Sequence, residues 1–204
     1  MILMMFTAVA TFAVAAYLGL LIAEALYAGQ EPFEDGPQRI VVPKWVFVAA
    51  GALVGIAMAF HGVSTAQLIT SGIATIALVA CAAVDLECGL VPDVFTLLPL
   101  GALVLWYAFH GDFGPALSAV VVAIPFAVVA TFSRGRGMGW GDVKLAALGG
   151  ALLGARGAVI ALVLACVAVI IASRIIGRDK KQPVAFAPYL VSGIGVVLMI
   201  GASA

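Results

Sequence analysis

Between Ile2 and Ala28 the chain carries one uninterrupted apolar run in which Glu24 is the only charged residue. At 1.5 Å of rise per residue, about 20 apolar residues suffice for a helix to cross the ~30 Å hydrocarbon core of a bilayer. Runs of this kind recur to the C-terminus, separated by short polar stretches rich in Gly and Pro. Because backbone polar groups in hydrocarbon must be paired within their own segment, a chain of such runs is expected to be all-α. Composition agrees: 65% of residues are hydrophobic and 10% charged, with a mean hydropathy of +1.24, whereas about a quarter of a soluble domain is charged. The expectation is a polytopic membrane protein, residues 1–204 forming one integral-membrane domain with the lipid bilayer as its surroundings.

Taken in order, the segments predict about eight spans. Ile2 to Ala28 is the first. A secretory leader would carry a basic start and a shorter core; here no Lys or Arg precedes Arg39, so the run reads as a spanning helix. Glu24, about a turn from its end, can reach the interface, and its role stays open. Gln30 to Lys44 is a loop. The second helix covers Ile40 to Phe60, with Gly51-xxx-Gly55 allowing close packing inside the molecule. The third starts after Ser64 or Thr65 as cap and runs to about Val84, with Asp85 at its C-terminal end. Asp93, after helix-stopping Pro92, is placed to cap the fourth, Val94 to Phe109. The fifth spans Ala116 to Phe132 and the sixth, short for a span, Asp142 to Ala155. Gly154 to Gly157 separates it from the seventh, Ala158 to Ser173, and the eighth runs from Pro183 to Ala204.

With eight spans, loops 29–44, 85–92, 133–141 and 174–182 share one face. They and their borders hold Arg39, Lys44, Arg134, Arg136, Lys144, Arg174, Arg178, Lys180 and Lys181, leaving only Arg156 opposite. Basic residues concentrate in cytoplasmic loops, so that face is expected to be cytoplasmic.

Net charge is zero, which gives nucleic acid no handle. Cys81, Cys88 and Cys166 are scattered and odd in number, which argues against a disulfide framework or zinc module and suits two small apolar side chains plus a loop thiol. His61 and His110 stand alone, without HExxH. No metal or cofactor is expected.

Two carboxylates remain to be explained. Asp142 follows the glycine run Gly137-Met138-Gly139-Trp140-Gly141 where it becomes an apolar helix, and Asp85 ends another apolar segment on the same face. Peptide hydrolysis by two carboxylates requires one ionised, to activate water, and one protonated, to polarise the carbonyl. Like charges held close cannot both ionise, so a pair supplies both states. Gly139 and Gly141 allow a sharp turn and close approach of another backbone, and Lys144 can bind headgroups or pair with a carboxylate.

Three blocks carry a resemblance to a known family. Asp85-Leu-Glu-Cys-Gly-Leu-Val-Pro92-Asp93, Met138-Gly-Trp-Gly-Asp142-Val-Lys144-Leu and Gln182-Pro-Val-Ala-Phe-Ala-Pro188-Tyr-Leu together resemble the type IV prepilin peptidases, membrane aspartyl proteases of the GxGD class. The resemblance implies Asp85 and Asp142 as catalytic residues, with Gly139, Gly141, Lys144, Pro92 and Asp93 around the substrate. It also implies prepilin or pseudopilin precursors as partners, cut on the cytoplasmic side of a prokaryotic inner membrane at the junction of a basic leader and a hydrophobic helix. Larger members carry a cysteine-bearing insert with N-methyltransferase activity after their first helix. Gln30 to Lys44 is short and cysteine-free, so that activity is not expected. Presenilin-like proteases set their first aspartate in a Tyr-Asp pair, which Val84-Asp85 does not match, and the rhomboid GxSG is absent. A proton-coupled transporter could use the same acids as relays, but such acids are expected near mid-helix. A non-catalytic assembly protein is the other alternative.

Overall fold

The computed structural model describes residues 2–27, 42–62, 64–132, 138–176 and 184–201. These form seven helices and, among the described residues, no strand: α1 (Ile2–Tyr27), α2 (Lys44–Phe60), α3 (Thr65–Cys88), α4 (Asp93–Phe109), α5 (Gly114–Phe132), α6 (Trp140–Ile176) and α7 (Ala187–Met199). Met4–Tyr27, Thr65–Cys88, Gly114–Phe132 and Trp140–Ile175 are long and apolar enough to cross a membrane; α2, α4 and α7 are shorter and equally apolar. Much of the polar connecting sequence, including Arg39, Arg134, Arg136, Arg178, Lys180 and Lys181, lies outside the described residues.

Several boundaries differ from expectation, each for a local reason. α2 begins at Lys44 rather than Ile40, because Pro43 takes the N-cap position with an extended backbone. α3 starts where expected: the Ser64 hydroxyl accepts from Gln67 N while the Gln67 side chain accepts from Ser64 N, a reciprocal capping box. It then runs past Val84 to Cys88 and stops at Gly89, whose left-handed backbone (φ 69°) closes the helix with its N–H on the Asp85 carbonyl. Cys88 is thus a buried helical residue rather than a loop thiol, and Cys166 is exposed rather than interior. Asp93 is not the cap of α4, since Pro92 holds that place and Asp93 opens the first turn. α5 begins at Gly114 rather than Ala116, with the Asp112 carboxylate accepting from Gly114 N at 2.8 Å. α7 begins at Ala187 rather than Pro183 and ends at Met199.

The expected interruption between the sixth and seventh segments is a break at one residue. Gly154 leaves helical geometry at φ 71° and ψ 168° inside α6, a combination that side chains on L-residues resist. Ala146 and Gly149 before the break line the same small cavity as Ala158, Ala161 and Leu162 after it. In a straight helix residues 146 and 162 would stand about 24 Å apart, so α6 folds back on itself at Gly154. Arg156 lies within the returning helix and is exposed.

Packing uses small residues inside and large ones outside. Ala8, Ala16, Ala80, Ala161 and Ala165 are fully buried, while Phe6, Leu98, Phe132 and Ile175 are each two-thirds or more exposed. That is the inverse of a soluble protein's surface, and it suits helices that associate by close backbone approach in lipid. Gly51 and Gly55 seat α2 on α1: a Cβ on either would come within 2.6 Å of the Phe12 or Ala8 carbonyl oxygen.

Contacts at the helix ends sort the bundle into two poles. At one, Lys44 of α2 pairs with Glu24 of α1 at 2.6 Å, which gives Glu24 a partner. Tyr27 of α1 meets Phe95 of α4 with ring centroids 6.2 Å apart, and the first turns of α4, α6 and α7 and the last turn of α3 gather there too. At the opposite pole His61 Nε2 reaches the Met199 carbonyl at 2.9 Å. Asp85, Pro92, Asp93, Gly139, Gly141, Asp142 and Lys144 all lie at the first pole.

Candidate active site

Asp85 sits in the last turn of α3 and is 6% exposed. Burying a carboxylate is costly unless hydrogen bonds replace water, and the first turn of α7 provides one: Ala187 N donates to Asp85 Oδ2 at 3.0 Å. Ala187 is the first helical residue of α7, so its N–H is one of the amides that a helix leaves unpaired at its start. This contact ties the Asp85 side chain, on α3, to the start of α7, far away in sequence. Charge patterning could not have revealed the donor, because it is a backbone group. The resemblance at Gln182 to Leu190 marked the segment without giving it a task.

Asp142 is held differently. It is the third residue of α6 rather than its cap, and its Oδ2 accepts from Gly139 N at 3.3 Å while Asp142 N donates to the Gly139 carbonyl at 3.2 Å. The carboxylate thus reaches back over the first turn, as the acidic partner of a capping box does. The first turn of α6, which carries Asp142, packs at Gly141 against Val91 in the segment that follows Asp85 and α3. The two acids singled out in the sequence therefore share one pole of the bundle, on the end of one helix and the start of another.

The surrounding residues fix their relative position. A Cβ on Gly141 would fall 2.7 Å from the Val91 Cβ and 3.2 Å from its Cγ2, so α6 approaches the segment after α3 as closely as a glycine permits. Gly139 has room: its nearest neighbour would be the Asp142 carboxylate at 3.7 Å, and the residue is exposed. Pro92 is buried as the N-cap of α4. Lys144 Nζ bonds Asp93 Oδ1 at 2.5 Å, with 28% and 61% of the two side chains exposed, and ties the first turn of α6 to that of α4. Trp140 projects outward, 55% exposed. Among the described residues no three His, Cys, Asp or Glu side chains come together as a metal site.

Both acids thus stand at helix ends rather than mid-helix, one buried on a backbone donor and one folded over a first turn. Comparison with known proteins bears on this site. Residues 72–173 match the family model described as Type IV leader peptidase family, a span that includes Asp85, Pro92, Asp93 and the whole of Met138 to Lys144. Two curated proteins named prepilin leader peptidase/N-methyltransferase, from Burkholderia pseudomallei strains 1026b and K96243, are each 34% identical over 166 residues. The aligned region is 76% of this chain and 53% of theirs, so the chain spans about half the length of these relatives. No solved structure matches it. By sequence match across the helices that carry both aspartates, the chain belongs to the type IV leader peptidase family.

Proposed function

We propose that this protein is a membrane aspartyl endopeptidase that removes the basic leader from type IV pilin-like precursors, with Asp85 and Asp142 as its catalytic pair. The observation that carries the reading is the placement of these two acids at one pole of an apolar helical bundle, on neighbouring helix ends. One carboxylate takes a proton from water as its oxygen attacks the scissile carbonyl carbon. The other, protonated, donates to the carbonyl oxygen. As the C–N bond breaks, the amine leaves with a proton and the new acid stays on the leader. Gly139, with space around it, lies where a substrate backbone could approach; Gly141 against Val91, Pro92 at the cap of α4, and the Asp93–Lys144 pair brace the helix ends that carry the two acids.

Orientation is part of the proposal. If α6 crosses the membrane twice through its reversal at Gly154, the segments number eight and nine of the ten Lys and Arg residues fall on the face of the acids. The positive-inside rule then sets the site at the cytoplasmic face of an inner membrane. The chain acts as a peptidase without N-methyltransferase activity, as the short segment between α1 and α2 suggests. Mass spectrometry of the processed subunit should find an unmethylated new N-terminus, and a methyl group added by this protein alone would overturn that point.

The central test is a cleavage assay on a pilin precursor in proteoliposomes. Asp85→Asn and Asp142→Asn should each abolish cleavage and the double variant should be no worse, because groups acting as a unit are non-additive. Membrane abundance should hold, since Asn fits the same space. Cleavage at the normal rate by either well-expressed single variant would remove the peptidase mechanism and leave a transporter or an assembly role.

A further inference from the structure

A long cavity of about 550 Å³ runs between α2, α3 and α7. Along α3 it extends from Thr75 to Leu86 and along α7 from Pro188 to Met199, about 16 Å on each helix and roughly half the hydrocarbon thickness of a bilayer. One end lies beside the candidate active site rather than in it: the lining includes Leu86, next to Asp85, Ala82, three residues before it, and Ala185 and Pro188 on either side of Ala187, whose N–H holds the Asp85 carboxylate. On its rims Leu53 and Val196 are 53% and 42% exposed, so it opens sideways, towards lipid.

The chemistry of the lining limits the occupant. The Thr75 hydroxyl is bonded to the Ser71 carbonyl at 2.8 Å and the Ser192 hydroxyl to the Pro188 carbonyl at 2.7 Å. Both are satisfied within their own helices and ask nothing of a ligand. Ala50, Ala82 and Gly195 are small, which is what lets a second helix's backbone approach closely in a membrane; a lipid chain, thin and flexible, needs no such lining. We infer that this groove seats the apolar helix of the substrate, about three turns of it, entering from the plane of the bilayer with its polar end delivered to Asp85. The inference rests on the peptidase reading above and adds a docking surface to it. Binding energy from this remote contact then holds the scissile bond at the acids, as substrate-positioning contacts do.

Two experiments read the groove directly. In an Asp142→Asn background, which leaves the lining intact and should leave the precursor uncut, a photo-crosslinking residue is placed at Ala50 or Ser192, with Val128 on the exposed face of α5 as control. Adducts with the precursor at 50 and 192 and none at 128 are expected. Adducts with lipid alone, or equal precursor adducts at 128, overturn the inference. Second, Gly195→Leu fills the groove, whereas Gly195→Ala places a Cβ at an ordinary 3.6 Å from Val54. Gly195→Leu should raise KM for the precursor about tenfold or more with kcat nearly unchanged, and Gly195→Ala should behave as wild type. Ser192→Leu repeats the test should Gly195→Leu reduce the amount of folded protein. An unchanged KM in a folded groove-filling variant overturns the inference while wild-type cleavage stands. If the wild type leaves the precursor intact, or Asp142→Asn still cuts it, the peptidase reading fails and the groove assignment goes with it.

Discussion

Gly141→Ala is a one-carbon change whose consequence can be worked out from the packing of α6 against Val91. The new Cβ would stand 2.7 Å from the Val91 Cβ, against the about 3.5–4.0 Å at which carbon atoms pack. A Cβ cannot swing aside as the tip of a flexible side chain can, so the first turn of α6 must retreat by about 1 Å. Asp142 is the next residue in that turn, and its bond from Gly139 N lies within the same turn, so the carboxylate moves with it. Asp85 is anchored to α7 through Ala187 and stays. The spacing of the two acids therefore changes by about 1 Å, a misplacement that costs on the order of 100-fold in rate, or about 2.7 kcal/mol of barrier. Overpacking costs about 1–3 kcal/mol of stability, offset in part by up to ~1 kcal/mol of helix propensity gained over glycine. The protein should thus accumulate in the membrane and cut slowly. The assay is precursor cleavage in proteoliposomes, with abundance and thermal stability in detergent measured alongside. A second-site pair sharpens it: Val91→Gly removes the opposing Cβ and should restore much of the rate to Gly141→Ala, whereas Val91→Ala keeps that atom and should restore little. Wild-type rates in Gly141→Ala, or equal rescue by Val91→Ala and Val91→Gly, would refute the reasoning.

Two further predictions concern the frame. Lys144 and Asp93 form a partly exposed pair, so Asp93→Asn and Lys144→Met should each lower cleavage modestly, and a double-mutant cycle on thermal stability should give a coupling of about 0.2–1 kcal/mol; zero coupling would show that the pair does not tie α4 to α6. For topology, reporter fusions after Lys44, Cys88 and Lys181 should report cytoplasm, and fusions after Asp112 and Arg156 the opposite side. A cytoplasmic signal at Arg156 would mean that the residues before Gly154 do not cross.

Helical class, the membrane setting and the position of the two acids at helix ends were legible because each is written in local chemistry. Of the two backbone solutions open in lipid, helix and closed barrel, continuous apolar runs of about 20 residues suit only the helix, and a carboxylate next to such a run stands out by its cost alone. Where one residue's own backbone decides, boundaries were legible too: Ser64 with Gln67 opens α3 as its residue types predict, and the interruption near Gly154 falls in the glycine-bearing stretch expected to hold it. The extension of α3 past Asp85 to Cys88 is again local, since Gly89 supplies the left-handed stop, but other contacts there are not. Other ends depended on what lies across the bundle. Asp93, by sequence a good cap, instead spends its carboxylate on Lys144. Gly141 is explained by Val91, a neighbour from another element that no spacing rule brings there. Likewise the donor to Asp85 is a main-chain amide of α7, and the groove beside it is shaped by three helices from both ends of the chain. Such features are properties of pairs of surfaces: a sequence fixes which surfaces a helix has, and only the packed bundle decides which of them meet.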